Sequence, residues 1–203
     1  MNHARRNGGN LKKSAGFSMV EVLVSIIVLS FGLLGMVGLQ AAALKGNREA
    51  RLQSVASGLA RELAEMMRGN KAVSLTASNP YLVTIPVGGP YQPANTSYCL
   101  NVGGTGCADG TEMAKAQMTE WLTRLNVELP GARVTVCLDS APYDAGGLPV
   151  WACTPSAGGD ITFIKIGWTR GSTNRAATAA SAIESATNAK PGLVYPVTAG
   201  NTL

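Results

Sequence analysis

From Val22 to Leu44 the chain carries no charged residue, and the run includes Val22-Leu23-Val24-Ser25-Ile26-Ile27-Val28-Leu29. As a helix it spans roughly 35 Å at about 1.5 Å per residue. That is enough to cross a bilayer core about 30 Å thick. After Lys45 the pattern changes. Leu52, Val55, Ala56, Leu59, Leu63, Met66 and Met67 recur at helical spacing and make one apolar stripe. Arg48, Glu49, Arg51, Arg61, Glu62, Glu65 and Arg68 fall largely off that stripe, and Gly69-Asn70 is a stop signal. One helix is predicted from about Phe17 to Arg68, apolar all round in its first half and packed on a globular head in its second. The Met66–Met67 pair reads as core packing.

The head begins near Asn70. Asn79-Pro80 and Gly88-Gly89-Pro90 mark turns, with a short edge strand expected within Tyr81–Val87. Tyr98 to Val102 reads as a better strand candidate, followed by a Gly103-Gly104-Thr105-Gly106 loop. That loop lacks the Lys-Ser/Thr and the strand–helix setting of a phosphate cradle. Met118, Trp121, Leu122, Leu125 and Leu129 form a second helical stripe, so a helix is expected from about Thr111 to Glu128. Asp109 or Thr111 caps it, and Pro130-Gly131 ends it. Arg133–Leu138 alternates as a strand with Val134, Val136 and Leu138 on one face. Ile161–Trp168 is the strongest strand, with Ile164, Ile166 and Trp168 on one face and Ile161 and Phe163 on the other. The stretch between them is rich in turn residues. From Gly171 to Leu203 the chain is rich in small and polar residues. Two readings stay open there: a disordered tail, or a wrap anchored by Val194-Tyr195-Pro196-Val197. The fold class expected is α+β: a long N-terminal helix packed on a small antiparallel sheet.

Charge and cysteines sharpen this picture. The formal charge of +5 falls to +1 once Arg5, Arg6, Lys12 and Lys13 are set aside, because the first sixteen residues hold no acid. A nearly neutral remainder argues against nucleic acid as a partner. Positive charge ahead of the apolar run predicts a cytoplasmic N-terminus and an exported head. Cys99, Cys107, Cys137 and Cys153 behind such a segment read as two disulfides. Cys99–Cys107 and Cys137–Cys153 each close a local loop, and the other two pairings remain open. No Cys-x-x-Cys pair suggests zinc. The single histidine, His3, lies in the basic leader, so no Ser-His-Asp, Cys-His or histidine-ligated metal site is expected in the exported part. Asp139, Asp144 and Asp160 read as turn residues rather than calcium ligands. No enzyme activity, cofactor or metal is expected.

The junction ahead of the apolar run reads Lys12-Lys13-Ser14-Ala15-Gly16-Phe17-Ser18-Met19-Val20-Glu21. Glu21 is a carboxylate at the mouth of an apolar helix, which is costly beside hydrocarbon unless a cation meets it. It also sits where the positive end of the helix dipole favours an acid. The basic leader ending in Gly16, then Phe17, then Glu21, then about twenty apolar residues resembles the class III leader of type IV prepilins. The string Gly32-Leu33-Leu34-Gly35-Met36-Val37-Gly38-Leu39-Gln40 narrows the resemblance to minor pilins of the type IV pilus modification type. It covers about the first 45 residues; beyond them it is one of architecture.

The resemblance implies cleavage between Gly16 and Phe17 by a prepilin peptidase, N-methylation of Phe17, and a contact between Glu21 and a neighbouring subunit's amine. It divides the chain into a leader (1–16), a long helix (17–69) and a head (70–203). It implies a single-pass inner-membrane subunit that later joins a surface fibre near its tip and helps to prime or regulate assembly. The implied partners are other minor pilins, the major pilin, the inner-membrane assembly platform and a tip adhesin, and the implied fibre activities are adhesion and twitching motility. Two other readings are a pseudopilin of a type II secretion system and a membrane-anchored periplasmic binding module. Gly32, Gly35 and Gly38 leave one side of the helix bare, where backbones approach closely or the helix loosens.

Overall fold

The structure is a computed structural model. It describes residues 16–76, 78–156, 161–172, 176, 178, 182–187 and 189–198. Residues 1–15 of the leader, Asp160 and much of the Ala/Thr-rich tail lie outside them. Contacts divide the chain into two units, Met1–Gly46 and Asn47–Leu203.

Helix α1 runs Met19–Gly69, followed by the single turn α2, Lys71–Ser74. The part of α1 before Asn47 presents its apolar side chains to the surroundings: every described residue from Gly16 to Arg48 is exposed. The later part buries Ala56, Leu59, Ala60, Leu63, Ala64 and Met67, the core of the predicted stripe. Leu52, Val55 and Met66 flank it, half-buried.

In the second unit, β1 is Val83–Ile85, α3 is Gly110–Glu128, β2 is Arg133–Asp139 and β3 is Ile161–Gly167. Two short strands follow, β4 (Arg170–Gly171) and β5 (Ile183–Glu184), then β6 (Leu193–Val197). The main sheet has the order β1-β2-β3-β6 and is antiparallel throughout, whereas β4 and β5 pair with each other. Val134 stands opposite Ile166 and Val136 opposite Ile164. These four residues belong to one buried cluster with α3 and the later part of α1. The indole N–H of Trp121 donates to the Leu59 carbonyl at 2.9 Å and ties α3 to α1. Asp109 caps α3, accepting from the Thr111 and Glu112 amides at 2.8 Å. Gly131 takes the left-handed conformation (φ 59°) at the turn into β2. A Cβ there would lie 2.3 Å from Thr169 Oγ1.

One expected strand is absent. Tyr98–Val102 is not a strand: Asn101 N–H turns back to the Tyr98 carbonyl and Gly104 N–H to that of Asn101. The Cys99–Cys107 bond closes these turns, and Val102 is fully exposed. Among the described residues no partner strand pairs with this segment. Leu138 shares the Val134–Val136 face yet is exposed, because it sits at the strand's end beyond the reach of β1, which pairs only with Val134–Val136. The tail does supply an anchor, since Leu193–Val197 is the β6 edge strand, with Pro196 opposite Phe163. A proline is tolerated there because an edge strand has one side without ladder bonds.

Asp139 is more than a turn residue. It and Lys165 lie on the sheet face away from Val134 and Val136, both with side chains 0% exposed. Lys165 Nζ donates to Asp139 Oδ2 at 2.5 Å and to the Ala152 carbonyl at 2.6 Å. Asp139 Oδ1 accepts from the Ala141 and Thr154 amides at 3.0 Å. Burial opposes ionisation of Asp139, but Lys165 and these amides outweigh it and hold the carboxyl below the usual carboxylate range. Asp144 follows the turn reading, accepting from the Gly146 and Leu148 amides while pairing with Lys190.

Candidate functional site

Gly16, Phe17 and Ser18 precede α1 in non-helical conformation. Phe17 is 83% exposed. A Cβ added at Gly16 would meet nothing within 4 Å, so the chain's own packing does not require glycine there. Gly32, Gly35 and Gly38 are equally unconstrained from within.

Ser18 sets where the helix begins. Its carbonyl accepts from the amides of Glu21 (3.0 Å) and Val22 (3.3 Å). Its hydroxyl oxygen accepts from the Val20 amide at 3.4 Å. These contacts make Ser18 the N-cap. Glu21 then falls in the first turn, four residues after Phe17. Its carboxylate has no hydrogen bond or ion pair among the described residues. The helix dipole adds a favourable interaction with an acid at that position. Ser25 and Ser30 turn their hydroxyls inward to the carbonyls of Glu21 and Ile26 at 2.7 Å, so neither presents an unpaired donor to an apolar surrounding.

From Val22 to Leu39 the exposed side chains of the helix are apolar apart from Ser25 and Ser30. Phe31 is 71% exposed, Leu34 68% and Leu39 75%. Among the described residues, α1 is the one helix long and apolar enough to cross a membrane. Leaving this area in water is unfavourable at about 25 cal/mol per Å², so it needs a lipid or protein cover.

A family model described as the prokaryotic N-terminal methylation motif matches residues 11–37. The chain is type IV pilin-like. The matched stretch holds Gly16, Phe17, Glu21 and the glycines at 32 and 35 in one segment. With the long helix and the antiparallel sheet, it fits a membrane-anchored pilin or pseudopilin. No curated protein and no solved structure gives a match.

The four cysteines belong to the second unit. The structure pairs Cys99 with Cys107 (Cα–Cα 4.9 Å) and Cys137 with Cys153 (6.4 Å). Two groups escaped the sequence reading. The Ser-x-x-Glu spacing from Ser18 to Glu21, a capping-box pattern, was available to reveal the cap. The Lys165–Asp139 pair had no such signal, because it depends on the β2–β3 register.

Proposed function

We propose that the chain is a minor pilin of the type IV pilus modification type, cleaved between Gly16 and Phe17 by a prepilin peptidase. In this reading water adds across the amide, leaving a carboxylate on Gly16 and an amine on Phe17. That amine then takes a methyl group from a sulfonium donor and releases a proton. The apolar half of α1 holds the subunit in the inner membrane, N-terminus cytoplasmic and head periplasmic. It later trades lipid for neighbouring helices in the fibre. Glu21 supplies the counter-charge for a neighbour's Phe17 amine. The role is structural rather than catalytic. The subunit acts near the tip with other minor pilins, the major pilin and the inner-membrane assembly platform, and with a tip adhesin where the fibre carries one, so serving adhesion and twitching motility.

The observation carrying the reading is the Glu21 carboxylate, four residues after an exposed Gly16–Phe17 bond and directly ahead of an uncovered apolar helix. Gly16 supports it further, since its lack of a side chain answers to no contact within the chain. The test is recovery in the sheared fibre fraction. Wild type is expected there and Glu21→Ala is expected to remain in the membrane fraction. Wild type absent from surface fibres but present in a secretion-system fibre would assign the subunit to a pseudopilus. Equal incorporation of both forms would remove the role given to Glu21.

A further inference from the structure

Ser18 lies between the Gly16–Phe17 bond and the body of α1, and its hydroxyl takes one particular amide. In an α-helix the N–H of residue i bonds the carbonyl of residue i−4. A helix extended one turn upstream would therefore send the Val20 amide to the Gly16 carbonyl. Here that amide points to Ser18 Oγ instead, at 3.4 Å. The Glu21 amide is likewise held by the Ser18 carbonyl at 3.0 Å rather than by that of Phe17.

Upstream extension has a ready start. Ser14 is the next residue of capping type, four positions earlier. A helix begun there would take in Ala15, Gly16 and Phe17. Against it stand the Ser18 cap and the low helix propensity of Gly16.

We propose that Ser18 is a positioning residue for leader removal: by capping α1 it keeps the Gly16 carbonyl out of the helical hydrogen-bond ladder and open to the peptidase. The inference rests on the prepilin reading and deepens it. Hydrolysis needs water to reach that carbonyl carbon and the Gly16–Phe17 C–N bond to break, with the proton passing to the departing Phe17 amine. A carbonyl engaged by the Val20 amide inside a helical turn is closed to that attack.

The experiment is a cleavage time course of the full-length chain in membrane vesicles carrying an active prepilin peptidase, read by intact mass. Removing a serine cap typically shifts the local helix equilibrium about fivefold. Because cleavage follows the capped fraction, which is at least half of the wild-type population, Ser18→Ala is expected to slow cleavage about two- to threefold, and Ser18→Thr, which keeps a capping hydroxyl, to stay close to the wild-type rate. Ser14→Ala combined with Ser18→Ala removes the upstream start and is expected to restore most of the rate, with Ser14→Ala alone as its reference. Cleavage of Ser18→Ala at the wild-type rate would overturn the proposal. So would Ser18→Thr as slow as Ser18→Ala, or a double variant no faster than Ser18→Ala. In each of those cases cleavage after Gly16 still stands and only the role of Ser18 falls. A wild-type chain left uncut at Gly16–Phe17 would remove the prepilin reading together with this inference.

Discussion

Lys165→Met tests whether the far face of the sheet is held by charge or by volume. Methionine keeps most of the side-chain stem but removes the ammonium group. Asp139 would retain the two amides on Oδ1, while Oδ2 would face no donor at a site with no exposure. Breaking a buried pair by removing one partner costs about 3–5 kcal/mol. That is a large share of the roughly 5–15 kcal/mol that keeps a domain folded. Adding Asp139→Asn removes the stranded charge, and its amide oxygen still accepts from Ala141 and Thr154. The double variant is therefore expected to recover at least about half of the loss, leaving an unmatched NH₂ that costs about 1–3 kcal/mol. The assay is urea unfolding of the full chain in non-ionic detergent, followed by tryptophan fluorescence. All three tryptophans (Trp121, Trp151, Trp168) lie in the second unit. A loss below about 1 kcal/mol for Lys165→Met, far under the range for a broken buried pair, would refute the charge argument. A double variant as unstable as the single would show that lost packing, not charge, sets the cost.

The same pair gives the head an acid limit. Because the folded carboxyl of Asp139 lies below its unfolded value of about 3.9, its contribution is full above that value and is lost as pH falls through the folded one. The urea midpoint is expected to drop below about pH 4, and the drop is expected to shrink in the double variant. Gly131→Ala is expected to lower the thermal midpoint, costing more than about 1 kcal/mol, because the residue holds φ 59° with Thr169 Oγ1 against the added Cβ; an unchanged midpoint would contradict this. Removing Cys137–Cys153, with a sequence separation of 16, is expected to cost more than removing Cys99–Cys107, with a separation of 8. The loop-entropy estimates are about 3 and about 2.5 kcal/mol, and the reverse order in paired alanine variants would count against that account.

Local periodicity made much of this molecule legible before its structure. Both halves of α1 declared themselves, one by unbroken apolar character and the other by the Leu52–Met67 stripe. The α3 stripe and the two central strands were equally readable, and the choice of Asp109 over Thr111 as the cap came from the structure. Periodicity says which side chains share a face, however, and not what lies opposite. That is why Tyr98, Leu100 and Val102 read as a strand when they ride on a disulfide-closed turn. It is also why Asp139 read as a turn residue. Its partner Lys165 comes from the next strand, and the register that brings them together is a property of the assembled sheet. At the N-terminus the chemistry was legible because it is compressed into six consecutive residues, Gly16 to Glu21, where spacing alone fixes the geometry. The conformational role of Ser18 within that stretch became visible only when its hydroxyl and the Val20 amide were seen together.

Processing as a prepilin leaves its mark at the N-terminus of the mature chain. The most direct measurement is the intact mass and N-terminal sequence of the protein recovered from its native membrane. The expected result is a chain that begins at N-methylated Phe17, short of residues 1–16 and with four oxidised cysteines. A chain still beginning near Met1, from cells with an active prepilin peptidase, would contradict it and leave a simple anchored domain in its place.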